Sequence, residues 1–171
     1  ALLNREKELP VPKESAKEAA NSQIMMIYLY RQAGRTYEAA VMAEGLARSA
    51  RATATIAKAG ENAVYAYLEA FQKTDDEESK AADLARALNV ATYLDTAAPE
   101  EPATEEIRLT QAKLLVQAKR YQDAFDVLCK IKLGSNSLVE ARLLQGGIAY
   151  ELLRAKSPME APAAKKNGIR A

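Results

Sequence analysis

The 171 residues include no histidine, no tryptophan and one cysteine, with seven glycines and six prolines. Without histidine there can be no Ser-His-Asp or Cys-His triad, no HExxH metalloprotease site and no imidazole ligand for zinc. Cys129 alone closes no internal disulfide, builds no Cys-rich zinc site and does not discriminate between compartments. The one adjacent glycine pair, Gly146-Gly147, falls in a segment with helical spacing, so no phosphate-cradling loop is present. Apolar runs stay well short of the ~18 residues that span a bilayer, and the most apolar window, Ile24 to Tyr30, stops at Arg31. A net charge of +1 gives no general attraction to nucleic acid. No secretory leader is visible, and a first residue of Ala1 is expected of an excised domain or a processed product. These absences predict a soluble chain, cytoplasmic by default, that is not an enzyme, has no catalytic residues, binds no metal or cofactor, engages no nucleic acid and does not insert into membranes.

What is present is apolar and alanine-rich: 49% of residues are hydrophobic and 27% charged, but only 6% are aromatic. That composition suits one domain with a substantial core, and it favours close-packed helices because alanine has the best helix propensity and lets helix axes approach. The stretch Ile107 to Gly134 shows the pattern best. Ile107, Leu109, Ala112, Leu114, Leu115 and Ala118 recur at helical spacing, with Arg108, Gln111, Lys113 and Gln117 on the other face. Tyr121, Ala124, Phe125, Leu128 and Ile131 repeat the pattern after a break too short to do more than reverse the chain, so two antiparallel helices are expected. Gly134 is expected as a left-handed cap, and Ser137 to Glu140 has capping-box spacing for a following helix.

Residues Gln23 to Ala47 echo this stretch. A helix rich in apolar residues leads to the turn Gly34-Arg35-Thr36-Tyr37, then Ala39, Ala43 and Leu46 stand where Ala124, Leu128 and Ile131 stand later. The turns AGRTYEAA and AKRYQDAF, together with Gly147-Ile148-Ala149-Tyr150, resemble tetratricopeptide repeats, over most of Ser22 to Leu153. Equivalent alanines lie 85 residues apart, which fits two units of about 42 better than the ~34-residue standard. The resemblance implies an all-α fold of about seven helices: antiparallel hairpins stacked as a short, right-handed, TPR-like α-solenoid.

In chain order, residues 1–14 read as a lead-in, residues 15–157 as the repeat domain and residues 158–171 as a disordered tail. The predicted helices run Ser15 to Ala33, Thr36 to Arg51, Thr55 to Gln72, and from the acidic run Asp75 to Glu78 on to Thr96, with Ala81, Leu84, Ala85, Leu88 and Ala91 inward. Ala63, Val64, Tyr67, Leu68 and Phe71 form the third helix's buried stripe, and Gly60 is a weak point or a close contact. Pro99 and Pro102 mark a loop over Ala97 to Ala103, with Thr104 as N-cap of the next helix. The last helix runs from Leu138 to Ala155. The run Asp75 to Glu78 lacks the alternating ligands and turn glycine of a Ca²⁺ loop and suits a helix N-terminus. Cys129 reads as core, Met25-Met26 as either an adaptable binding surface or, more usually for such a pair, core, and Gly146-Gly147 as the crossing point of a neighbouring helix in preference to a ligand's approach to the backbone.

The resemblance also implies a working surface. The first helix of each repeat lines the concave side, which would gather Asn21, Ile24, Tyr28 and Arg31 with Glu61, Tyr65 and Leu68 and with Leu109, Lys113 and Val116. Tyr28 and Tyr65 would anchor a partner, and Arg31 and Lys113 would take its carboxylates. The expected function is a non-catalytic interaction or scaffold module that binds a protein or peptide segment in this groove. The competing expectation is a structural subunit that forms a homo-oligomer or packs against the rest of a longer chain. A small-ligand or enzyme pocket is weaker, as is RNA binding through Arg48, Arg51 and Lys58.

Overall fold

A computed structural model describes the chain over residues 13–156, with side chains placed for residues 14–154. The expected lead-in, except Lys13 and Glu14, and the expected tail at 158–171 lie outside the described residues. Among the described residues the fold is all-α, with seven helices: α1 (Lys13–Gln32), α2 (Thr36–Ser49), α3 (Thr53–Lys73), α4 (Glu77–Ala97), α5 (Pro102–Gln117), α6 (Tyr121–Cys129) and α7 (Leu138–Lys156). They form two compact units, Ala1–Arg108 and Leu109–Ala171, divided within α5.

The first unit is built from hairpins. Between α1 and α2, the Gly34 N–H donates to the Arg31 carbonyl (3.0 Å) and the Arg35 N–H to the Tyr30 carbonyl (2.9 Å). This is the hydrogen-bond pair of a Schellman motif, which requires a left-handed residue at its apex. Gly34, at φ +76°, provides it. Arg35 then opens α2, and its guanidinium reaches Glu38 at 3.0 Å. The second unit repeats this corner between α5 and α6. The Lys119 N–H bonds Val116 O (2.9 Å), the Arg120 N–H bonds Leu115 O (2.8 Å), and Arg120 reaches Asp123 at 2.7 Å. Backbone angles at Arg35 and Arg120 are −85°, 62° and −86°, 62°. The corners superpose Gly34 on Lys119, so Tyr121 matches Thr36 and stands one place before the equivalent of Tyr37. The two turn tyrosines therefore hold different settings.

Within the first unit α1 packs on α2 and α3, α2 on α3, and α3 on α4. Ala39, Ala40 and Ala43 of α2 meet Ala59, Ala63 and Ala66 of α3 with no exposed surface. Small side chains at these crossings let the axes come close, and the volume is filled by a few large ones, chiefly Tyr67, Ile27, Leu94 and Val64. At Gly60 the approach is closest, since a Cβ there would lie 2.5 Å from Leu94 Cδ2. Tyr67 is buried as its spacing predicts, whereas Leu68 and Phe71 are half-buried.

Helix α4 sits in a different register from the predicted one. Asp83, Ala87, Val90, Ala91 and Leu94 face inward, while Ala81 and Ala85 are exposed. Alanines occupy both faces of this helix and carry little directional information, so Val90 and Leu94 decide its orientation. Asp76 caps it, accepting from the Ser79 N–H at 2.8 Å, and the Ser79 side chain first, then this N–H, hold its carboxyl below its ordinary range.

The expected loop before α5 is present, but the residues that secure it are polar and buried. The Thr104 hydroxyl donates to the Ala98 carbonyl (2.7 Å) from within the first turn of α5, so Thr104 fastens the loop instead of capping the helix. Arg108 is 4% exposed. It bonds Asp95 Oδ1 at 2.7 Å, Glu105 Oε1 at 2.9 Å and the Pro99 carbonyl at 3.0 Å. The outward orientation expected of Arg108 is thus reversed, because the loop's carbonyl and two carboxylates need a buried donor fork; Gln111, also expected outward, is 7% exposed.

In the second unit α6 packs on α7, burying Ala124, Val127 and Leu128 of α6 with Ala141 and Ile148 of α7. Gly134 takes φ +92° as expected, but in the connecting turn and not at the end of α6, whose cap is Lys130. Cys129 is exposed, contrary to its predicted core position, with Gln145 Nε2 donating to its sulfur at 3.4 Å.

Candidate interaction surface

Helices α1 and α3 of the first unit carry seven of the ten residues predicted for the groove. Arg31 binds the Glu69 carboxylate through Nη2 and Asn62 Oδ1 through Nη1 (3.4 Å), so α1 is tied directly to α3. Asn62 in turn donates to the Lys58 carbonyl (2.8 Å), and the Lys58 ammonium pairs with Glu61 (2.6 Å). Arg31 and Glu61 are therefore engaged within the fold, and the charge Arg31 would offer a partner carboxylate is already neutralised by Glu69. Ile24, Tyr65 and Leu68 pack half-buried against the core. Asn21 and Tyr28 are exposed.

Beside them lies a surface that helical spacing does not single out. Met25, Met26, Tyr28 and Leu29 are 59%, 45%, 52% and 57% exposed. Met25-Met26 is not core, because Ile27 alone of these consecutive residues points inward, with no exposed area. An apolar run wider than one packing face leaves the remainder outside, and clustered exposed apolar side chains mark interaction surfaces more often than chance. Methionine adds adaptability, since its unbranched thioether fits irregular partners.

The remaining three predicted residues belong to the second unit. Leu109 is 7% exposed and offers almost no surface to a ligand. Lys113 is exposed and forms a surface ion pair with Glu140 of α7 at 2.6 Å. Val116 is half-buried.

A second polar and aromatic cluster joins α2, α3 and α4. The Tyr67 hydroxyl donates to Glu44 Oε2 (2.8 Å), and Glu44 Oε1 accepts from Arg48 Nε (2.8 Å). Arg48 also donates to Asn89 (2.7 Å) and lies over the Tyr93 ring at 4.9 Å. Arg86 donates to the Tyr37 hydroxyl (2.6 Å), and the Tyr37 and Tyr67 rings meet edge-on at 6.4 Å. Burial, then the Glu44 bond, pushes the Tyr67 phenol well above its ordinary 10.0. Donors and acceptors here satisfy one another, so the cluster is a brace across three helices. It also holds Arg48 against Asn89 and Glu44. No sequence period points to this cluster, since its members come from three helices and differ in type.

Among the described residues there is no group of three or more metal-ligating side chains and no helix long and apolar enough to cross a membrane. The chain matches no family model, no curated protein and no solved structure.

Proposed function

We propose that the chain is a non-catalytic protein-interaction module of TPR-like hairpins, and that the α1–α3 side of its first unit binds a peptide or helix. The carrying observation is the run Met25, Met26, Tyr28 and Leu29, all about half exposed on a helix whose opposite side is firmly packed. Two further features support it. The contact of α1 with α3, alongside their hairpin partners, is the arrangement that stacked helix pairs use to present first helices side by side. The recurrence of one corner geometry in both units supports a repeat origin for the hairpins. Partner recognition falls to apolar anchors, Tyr28 above all, with Arg31 fixing the platform on which they stand. An apolar face of this kind suits the i, i+3, i+4, i+7 anchors of an amphipathic helix.

The test is selection of displayed peptides against the purified chain, followed by titration of the winners. Replacing Met25 and Tyr28 by alanine should weaken their binding at least tenfold without changing the circular dichroism spectrum. Peptides that bind the double variant as tightly as the parent would remove the α1–α3 assignment.

A further inference from the structure

Helix α7 is apolar on two opposite sides, and only one of them is covered. Ala141, Gln145 and Ile148 are buried on the side that meets α6. On the other side Val139, Leu143, Tyr150 and Leu153 are 73%, 74%, 65% and 67% exposed. With Gly146 between them they advance by alternating steps of four and three residues, the spacing of a coiled-coil seam, over roughly 20 Å of helix. Neither Gly146 nor Gly147 has any atom within 4 Å of where a Cβ would stand. The tight crossing expected there from the sequence is therefore absent among the described residues, and two helix-weakening glycines remain at the centre of an open apolar seam.

The order of residues along the seam indicates what fits it. Consider a second α7 laid antiparallel across the first, related by a two-fold axis. In one register Tyr150 of each copy falls opposite Gly146 of the other, a large ring over a position with no side chain. In the same register Leu143 meets Leu153 at both ends. The flanking positions then bring Glu140 beside Arg154, once on each side of the axis, because antiparallel helices pair residues of the same flank. A parallel in-register pair would instead set Tyr150 against Tyr150 and Gly146 against Gly146. Size and charge both match in the antiparallel arrangement, whereas the parallel one sets ring against ring and leaves a gap at Gly146. Glu140 and Arg154 already form exposed pairs inside the protomer, with Lys113 (2.6 Å) and Glu151 (3.7 Å), and such exposed pairs exchange readily.

We infer that this face of α7 is a homodimer interface, in which two copies of the chain pack antiparallel through the Val139, Leu143, Gly146, Tyr150, Leu153 seam. The seam is self-complementary, as a two-fold interface must be. The seam runs over only about 20 Å of one helix, less than a standard stable interface covers, so association is expected at micromolar concentration or above. The inference is independent of the α1–α3 reading and concerns a different helix.

Sedimentation equilibrium of the full 171-residue chain from about 1 μM to about 500 μM tests it, since micromolar dissociation constants fall in that window. The average mass should climb from 18.6 kDa towards twice that value. Leu143→Glu should keep the chain monomeric throughout, with an unchanged circular dichroism spectrum. Glu140→Arg and Arg154→Glu should each weaken association about tenfold, and the double exchange should restore it, because the pairs re-form with charges reversed. A chain that stays monomeric at the highest concentration overturns the inference and leaves the seam to another molecule. Association indifferent to Leu143→Glu places the contact elsewhere, and failure of the double exchange to restore it overturns the antiparallel register.

Discussion

Gly60 of α3 and Leu94 of α4 occupy one space: a methyl group on Gly60 would come within 2.5 Å of Leu94 Cδ2 and 2.9 Å of Cγ. Leu94 is fully buried, so its side chain would have to shift within the core to admit that methyl.

Gly60→Ala therefore sets two effects against each other. Better helix propensity contributes about 1 kcal/mol, while overpacking a filled core costs about 1–3 kcal/mol. The variant should be less stable than the parent by roughly 1 kcal/mol in urea denaturation. In a Leu94→Ala background the same change should reverse sign and stabilise by about 1 kcal/mol, since the obstruction is gone. Stabilisation in both backgrounds would show that α3 and α4 do not approach each other tightly at Gly60.

Arg108 holds the loop before α5 by bonding two carboxylates and a carbonyl away from water. Arg108→Met would leave Asp95 and Glu105 without their shared cation, and removing one partner of a buried ion network costs about 3–5 kcal/mol. Arg108→Lys should recover only part of this, because an ammonium does not span three acceptors in one plane. Thermal unfolding measures both, and a methionine variant within about 0.5 kcal/mol of the parent, the range of an ordinary surface change, would refute the buried role.

Lys119 is the one non-glycine residue with positive φ among the described residues, at 59°. It stands at the apex where the earlier corner has Gly34. Left-handed backbone costs a residue with a Cβ roughly 1–2 kcal/mol, so Lys119→Gly should stabilise the second unit by a fraction of that, about 0.5–1 kcal/mol. The converse, Gly34→Ala, should destabilise by about 1 kcal/mol. Unchanged unfolding midpoints in both variants would contradict the corner geometry.

Tyr67 gives the fold an alkaline limit. Its phenol is held protonated in the folded chain, by burial first and by Glu44 second, whereas the unfolded chain releases that proton near pH 10.0. A raised folded value means the stabilisation is complete below 10.0 and falls as pH rises above it. Stability should decline above about pH 10 in the parent, and less steeply in Tyr67→Phe, which loses about 1 kcal/mol at neutral pH with its hydrogen bond. Equal slopes for the two proteins would exclude Tyr67 as the titrating group.

Much of the fold is legible in the sequence because its cues are local. Pro99 with Pro102 and the glycine at 34 announce their connections chemically, and the amphipathic period gives the extent of the helices. Facing is less legible wherever alanine predominates. In α4 a stripe through Ala81, Ala85 and Ala91 reads as well as one through Ala87 and Ala91, and only contact with α3 separates them. Arg108 and Cys129 fail for a related reason: residue type predicts burial on average, while a loop carbonyl or a short helix decides it in a given place. The candidate surface shows the same limit. Tyr28 is exposed, but the engagement of Arg31 by Glu69, far along the chain, is invisible to any local pattern.

The paired corners have a consequence for how the chain can be rebuilt. Each closes through its own backbone hydrogen bonds and an arginine that reaches a carboxylate three residues on. Such a corner is a self-contained part, so residues 33–38 grafted in place of 118–123 should still turn the chain back on itself, and further hairpins should be splicable at either joint.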